Sequence, residues 1–172
     1  MGQISDCVNR LAASATFAMM QKSNELAAQG VNVVNMSVGE PDFNTPDYVK
    51  TAAKQAIDDN YSTYSPVPGY MSLRKACSDK LKRENNLDYA PTQIVVSTGA
   101  KQSLCNAIMA VVNPGDEVLL PAPYWVSYPE MVKYNDGVPV ILYTEEKNEF
   151  KFSPEELEAA ITPKTKALVL NT

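Results

Sequence analysis

The sequence predicts an α/β protein with three layers, α/β/α, in which helices cover a mostly parallel sheet. Four short apolar segments bounded by turn residues are the predicted strands: Ile94-Val95-Val96, Val118-Leu119-Leu120, Val138 to Tyr143, and Ala167 to Leu170. Their apolar character is continuous, as in strands that are buried on both faces. Helical patterns separate them, and this alternation indicates a parallel sheet with right-handed crossovers.

Apolar residues at helical spacing predict the helices. They run from Phe17 to Ala28, Asp47 to Asp59, Gly69 to Asn86, Lys101 to Val112, and Ser153 to about Ala160. Thr45 is the predicted N-cap of the second of these helices, and Ser153 with Glu156 is a predicted capping box at the start of the last. Residues 1–45 stand outside the alternation, so we predict that they form an N-terminal arm and a small-domain segment. Residues 46–172 are then the first part of a large domain. We expect it to be incomplete at the C-terminus, because a buried parallel strand normally continues into a crossover helix.

The composition of the 172-residue chain excludes several classes of protein. A net charge of -5 without a basic run disfavours a nucleic-acid surface. Because the chain has no histidine, a Ser-His-Asp triad and most zinc sites are excluded, and we expect no metal. No run approaches the roughly 18 apolar residues that cross a bilayer. The three cysteines lack paired spacing, which fits a reducing compartment, so we expect a cytoplasmic protein without a membrane partner.

A turn that could bind an anion lies between Ile94 and Gln102. The predicted strand runs through Ser97-Thr98-Gly99 directly into a helix. The N–H groups and the positive dipole end of a helix start suit phosphate, and Lys101 adds charge nearby. An ordinary turn with an N-cap fits the same residues. The pattern is neither a Walker A loop nor GxGxxG, which disfavours P-loop and dinucleotide binding.

Three other loops contain candidate binding residues. Trp125 follows a predicted strand, where its indole could stack on a flat heteroaromatic ring or could be an ordinary core aromatic. Gly39 opens the turn Gly39-Glu40-Pro41-Asp42-Phe43, where the glycine would let backbone approach a ligand carboxylate, although a plain turn fits as well. The loop from Tyr61 to Gly69 is longer than a minimal helix connection, so it is either a binding loop or a packed surface loop.

Short motifs recur in order along the chain: Ser14-Ala15-Thr16, Gly39 to Phe43, Tyr64 with Pro66 and Gly69, Gly99-Ala100-Lys101-Gln102, Asn113 to Val118, Pro123 to Pro129, and Ile161 to Ala167. Together they resemble the class I aminotransferases of pyridoxal-phosphate fold type I, with the closest likeness to bacterial aspartate aminotransferases of subgroup Ib. The resemblance covers essentially the whole chain. It implies a partial fold-type-I domain that uses pyridoxal 5'-phosphate as its cofactor.

The resemblance also implies a role at each matching position. Gly99, Ala100 and Lys101 would open the helix that receives the cofactor phosphate, and Trp125 would stack on the pyridine ring beside the substrate. Tyr64 would reach the phosphate of the neighbouring subunit, which implies a homodimer with a shared active site. For the substrate, the backbone of Gly39 would contact the α-carboxylate. The distal carboxylate would be read by Ser14, Thr16 and Lys101.

The implied reaction is transamination between L-aspartate and 2-oxoglutarate, which gives oxaloacetate and L-glutamate. Such chemistry needs a lysine that forms a Schiff base. We expect that lysine beyond Thr172, so this chain would contain no catalytic residue and would be inactive by itself. One alternative is an aminotransferase for aromatic or alanine-type amino acids, and another is an inert fragment with a binding or dimerisation role. Family members that accept prephenate tend to carry lysine at the position of Ala12, so we expect little prephenate activity.

Overall fold

The structure is a computed structural model that describes residues 4–171. Its elements are, in chain order, α1 (Asp6–Asn9), α2 (Ala15–Ala28), α3 (Asp47–Asp58), α4 (Met71–Asn85), α5 (Ala100–Val111), β1 (Glu117–Ala122), α6 (Ser127–Tyr134), β2 (Val138–Tyr143), α7 (Pro154–Ala160) and β3 (Thr165–Leu168). Contacts divide the chain into two compact units. The first takes in the chain up to Val38 and again from Leu104 onward, and the second is Gly39–Ser103. Within residues 4–171, no helix is both long and apolar enough to span a bilayer.

The first unit contains a parallel sheet with the strand order β2-β1-β3. Strand β1 lies in the centre and pairs with β2 from Glu117↔Val138 to Ala122↔Tyr143. On its other side β1 pairs with β3, with an irregularity in register between Glu117 and Val118. Since parallel neighbours need long crossovers, helices α6 and α7 connect successive strands. The predicted α/β class with a parallel sheet is confirmed.

The core of the first unit forms between β1 and two helices. Val118 and Leu120 point to the same face because side chains alternate along a strand, and both are fully buried. They pack with residues of α5, α6 and the turn after α5: Ile108, Val112, Met131 and Val132. Leu119 points to the opposite face and is also buried. Burial on both faces explains why the sequence of this strand is apolar without alternation.

The turns that precede β1 and β2 are joined by backbone hydrogen bonds. The N–H of Gly115 donates to the oxygen of Asp136 at 2.9 Å, and the N–H of Val138 donates to the oxygen of Asp116 at 2.8 Å. Between them, a Cβ on Gly137 would lie 2.7 Å from a methyl group of Val112. This turn therefore needs glycine so that the backbone can approach the core closely.

The second unit contains α3, α4 and the loop between them. Arg74 of α4 is buried, and its Nη1 donates to the carbonyl oxygen of Pro91 at 3.3 Å. Gly69 ends the loop at φ +95°, where a Cβ would lie 3.0 Å from the side chain of Val96. The rings of Tyr61 and Tyr70 meet edge to face at 5.4 Å. The loop is therefore fastened at both ends by packing within its own unit.

Several predicted elements need correction. Ile94-Val95-Val96 is extended but belongs to no strand of the described sheet, because its Val96 N–H donates to the Pro68 oxygen at 3.0 Å and not to a neighbouring strand. Pro46 is itself the N-cap of α3, and no side chain caps that helix, so the predicted Thr45 cap is wrong. Strand β3 begins and ends two residues earlier than predicted. The capping box of Ser153 and Glu156 is confirmed.

A matched pair of leucines tests the role of β1. Leu120 is fully buried in β1, whereas Leu168 in the adjacent β3 is 40% exposed. We expect Leu120→Ala to lower the free energy of unfolding by about 2–5 kcal/mol, because a buried cavity remains. Leu168→Ala should cost less than half as much. Urea unfolding followed by circular dichroism measures both, and equal losses would contradict a core centred on β1.

Candidate active site

The start of α5 forms a corner that presents backbone N–H groups. Gly99 adopts φ +81°, which turns the chain into the helix that begins at Ala100. The N–H of Ser103 donates to the Gly99 oxygen at 3.3 Å and closes the first helical turn. The N–H of Thr98 is held by Oε1 of Gln102 at 2.5 Å. The N–H groups at the start of a helix and the positive end of its dipole favour an anion in front of such a corner.

Space and charge at this corner fit a phosphate group. No atom lies within 4 Å of the position that a Cβ on Gly99 would occupy, so a ligand can approach the backbone there. Lys101 lies in the first turn of α5 and supplies a cation on the same helix. Donors of this kind, backbone N–H groups beside a lysine, are those that bind phosphate in proteins. The corner therefore suits an anion such as a phosphate group.

Trp125 lies in the turn between β1 and α6, after a cis peptide bond between Ala122 and Pro123. Tyr124 and Tyr128 on either side of it pack against the core of the first unit. The indole meets the ring of Tyr128 edge to face at 5.5 Å and is 38% exposed. An indole that is supported at its edge and partly exposed can offer a face to a flat ring.

The N-terminal segment places Ser14 and Thr16 at the start of α2. Ser14 is the N-cap residue, but its side chain does not cap the helix. Thr16 lines a cavity of about 390 Å³ together with Val126, the residue after Trp125. The other lining residues are mostly apolar: Ala15, Met19, Ser23, Val34, Asn35, Met36 and Ser37. The structure thus brings the predicted substrate-reading segment to the turn that contains the indole.

Gly39 and Tyr64 lie in exposed loops of the second unit. No atom lies within 4 Å of a Cβ built on Gly39, which leaves its backbone open to a ligand. The side chain of Tyr64 is fully exposed, and it lines an open cavity with Ser62, Thr63 and Ser65. Within the described part of its own chain, this ring has no cover.

Two residues of this region were not foreseen from the sequence. Gln102 holds the N–H of Thr98, a contact that the four-residue spacing at a helix start could have indicated. Glu130 of α6 accepts the N–H of Ala12 at 2.8 Å, and no local pattern indicates a contact between residues 118 positions apart. Burial raises the pKa of Glu130. Hydrogen bonds from Lys133 and from the Ala12 N–H, together with the Lys133 charge, lower the pKa by more than burial raises it, so the pKa lies below its usual value.

The parallel sheet with helices that connect its strands is the α/β arrangement of fold type I, which the solved aspartate aminotransferases described below share. The chain belongs to the family of class I and II aminotransferases, whose model matches residues 31–172. It is 49% identical over its full length to the aspartate/prephenate aminotransferase of Cereibacter sphaeroides and to a probable one of Rhizobium leguminosarum, and it covers 43% of each. The chain thus spans less than half the length of these relatives.

Solved structures agree with this assignment. The aspartate aminotransferase of Thermus thermophilus with maleate superposes with a TM-score of 0.93 at 45% identity, and the chain covers 45% of it. The aspartate aminotransferase of Rhizobium meliloti gives a TM-score of 0.93 at 39% identity, with 43% of that chain covered. In both comparisons all of the present chain is matched. The predicted family resemblance is confirmed.

Two glycines with the same backbone conformation test the anion corner. Gly99 and Gly115 have φ +81° and +84°, and nothing lies within 4 Å of a Cβ at either position. Gly99→Ala and Gly115→Ala should each cost about 1–2 kcal/mol of stability, because both force an L side chain into the left-handed region. Only Gly99→Ala should also weaken the binding of pyridoxal phosphate, measured by fluorescence titration. Equal affinities in the two variants would show that the corner does not bind the phosphate.

Proposed function

We propose that the protein, at its full encoded length, transfers the amino group of L-aspartate to 2-oxoglutarate with pyridoxal 5'-phosphate as cofactor. The corner at Gly99 is the observation that supports this function most directly, because it offers helix-start N–H groups, open space and a lysine in one short segment. The family is that of aminotransferases, and relatives at 49% identity are named for aspartate and prephenate. The proposal concerns the whole protein, since the chain covers 43% of those relatives.

The residues of this chain would bind and orient the reactants. The corner formed by Gly99, Ala100 and Lys101 would hold the phosphate of the cofactor. The partly exposed indole of Trp125 would stack on the pyridine ring of the cofactor. When bound, the cofactor supplies the electron sink that stabilises negative charge at the substrate α-carbon. The backbone of Gly39 would donate to the α-carboxylate. The residues of this chain would therefore contribute binding and orientation of the cofactor and of the substrate.

Recognition of a dicarboxylic substrate would depend on the distal carboxylate. Lys101 offers a cation, and the hydroxyl groups of Ser14 and Thr16 offer two donors that pair well with a carboxylate. A substrate without that carboxylate would leave these polar groups without their partner, which costs binding energy. This donor set favours aspartate and glutamate over alanine-type amino acids.

We further propose that the active protein is a homodimer in which Tyr64 contributes to the partner's site. Complete exposure of this phenol in a proline-bearing loop supports the assignment, because a large aromatic ring is usually at least partly covered. A hydroxyl group at the end of that ring could donate to a phosphate oxygen. The loop itself is held by packing around Gly69 and Tyr70, so the ring would be presented from a firm base.

Prephenate is a second candidate acceptor. The names of the relatives from Cereibacter sphaeroides and Rhizobium leguminosarum include it, and the cavity beside Thr16 is lined mostly by apolar side chains that could accommodate a six-membered ring. The alanine at position 12 argues against it, as that residue supplies no charge. An aminotransferase for aromatic or alanine-type amino acids is the remaining alternative within the family.

Lys101 provides the main test of substrate choice. In Lys101→Met we expect kcat/KM for aspartate to fall between about 10-fold and 100-fold, because a charge-assisted contact is worth about 1.5–3 kcal/mol. The value for phenylalanine should change much less. Lys75→Met serves as the control, since Lys75 pairs with Asp79 on the exposed side of α4. Equal losses with both amino donors in Lys101→Met would refute recognition of a distal carboxylate.

A lysine introduced at position 12 tests the prephenate alternative. With aspartate as donor and prephenate as acceptor, we expect a low rate for the wild-type protein. Ala12→Lys should raise kcat/KM for prephenate by about tenfold, which corresponds to one added charge-assisted contact of about 1.4 kcal/mol. Ala13→Lys is the matched control, because it adds the same charge one position away. Equal rates with prephenate and 2-oxoglutarate in the wild type would show that Ala12 does not exclude prephenate.

A further inference from the structure

Three contacts join the segment before α2 to α6 and to the turn that follows α6. The Cys7 thiol donates to the oxygen of Tyr134 at 3.3 Å. Arg10 forms an ion pair with Asp136. The N–H of Ala12 donates to Oε2 of Glu130 at 2.8 Å. These contacts join residues more than 100 positions apart, so they fix where the N-terminal segment runs over the first unit.

The acceptor of the Ala12 N–H is better shielded from solvent than the Arg10–Asp136 pair, and the thiol of Cys7 is a weak donor. The Arg10–Asp136 pair is 44% and 49% exposed, and ion pairs in solvent contribute little. Glu130 is less exposed, at 26% of its side chain, and it also binds Lys133 at 2.9 Å through its other oxygen. The lowered pKa of Glu130 keeps it ionised at neutral pH, and a charged acceptor makes the hydrogen bond stronger.

The hydrogen bond between Ala12 and Glu130 lies close to two parts of the proposed active site. Ala12 precedes Ser14 by two residues, and Ser14 is the N-cap of α2. On the other side, α6 begins directly after the turn of Trp125 and Val126, and Val126 shares a cavity with Thr16. The Glu130 carboxylate therefore joins the segment that would read the distal carboxylate of the substrate to the helix that follows the turn of Trp125.

We propose that Glu130 is a positioning residue for substrate specificity: it holds the Ala12 backbone against α6 and so keeps Ser14 and Thr16 at a fixed distance from the Trp125 turn. The inference rests on the proposed aspartate aminotransferase function. Glu130 touches no substrate in this role. Glu130 acts through the Ala12 backbone. Its replacement should therefore weaken the binding of substrates that have a distal carboxylate and leave the binding of those that lack one unchanged.

Steady-state kinetics of the protein at its full encoded length tests the proposal. In Glu130→Ala we expect KM for aspartate to rise by about tenfold with kcat within about twofold, because ground-state placement of two donors is lost. KM for phenylalanine should stay within about twofold. Glu130→Gln retains an oxygen that accepts the Ala12 N–H and should recover most of the aspartate KM. Lys133→Met removes only the neighbouring ion pair and should leave that KM unchanged.

Two further measurements separate positioning from a general loss of stability. Combining Glu130→Ala with Ser14→Ala should raise the aspartate KM by less than the product of the single effects, since both changes remove the same interaction. Hydrogen exchange should show at least a tenfold faster exchange of the Ala12 amide in Glu130→Ala and a normal rate in Glu130→Gln. This second readout needs no catalytic turnover.

The outcomes distinguish the two proposals. A wild-type protein that binds pyridoxal phosphate but does not transaminate aspartate would refute the proposed function, and the inference with it. Normal wild-type turnover with an unchanged aspartate KM in Glu130→Ala would overturn the inference alone. Equal increases in KM for aspartate and phenylalanine would also overturn it, because they would indicate a structural role without specificity.

Discussion

Strand β1 is buried on both faces and paired on both edges, and this constraint determines the layout of the first unit. Parallel neighbours cannot be joined by a tight turn, so the chain crosses back over the sheet between successive strands, here through α6 and α7. The carboxyl end of β1 then emerges at Ala122, beside the ends of its neighbours. The turn with Trp125 begins there, on a base held by Tyr124 and Tyr128 in the core. A rigid centre thus presents an aromatic residue at the rim where α/β proteins bind ligands.

The anion corner depends on backbone geometry more than on side chains. Gly99 can adopt φ +81° without strain, and this conformation turns the chain into α5. Gln102 accepts the N–H of Thr98 through Oε1 and so holds the turn in place. Lys101 adds a charge that the dipole alone could not provide. Backbone donors of this kind are already in place before an anion binds, so little energy is lost in rearranging them. A few residues are therefore enough to form an anion-binding site.

Local patterns in the sequence were enough to predict α2 to α5, α7, strands β1 and β2 and the capping box of Ser153 and Glu156, because each depends on neighbours within a few residues. Helices α1 and α6 were not predicted. The aminotransferase family was predicted from short motifs that occur along the chain in the order typical of that family. The prediction of a strand at Ile94-Val95-Val96 was wrong, because apolar character does not reveal whether a neighbouring strand is present to pair with it. The contact between Glu130 and Ala12 was missed for a related reason: nothing in either segment signals a partner 118 residues away.

That last contact shows how specificity can lie outside the residues that touch a ligand. The donors proposed to read a distal carboxylate stand at the start of α2, and their own helix fixes their spacing but not their distance from the sheet. The distance is set where the preceding backbone meets α6. An exposed pair such as Arg10 with Asp136 is too weak to hold it, because solvent screens the charges. A partly buried carboxylate that accepts a backbone N–H cannot be exchanged for water without cost, so it is the bond best able to transmit the rigidity of the core to the N-terminal segment.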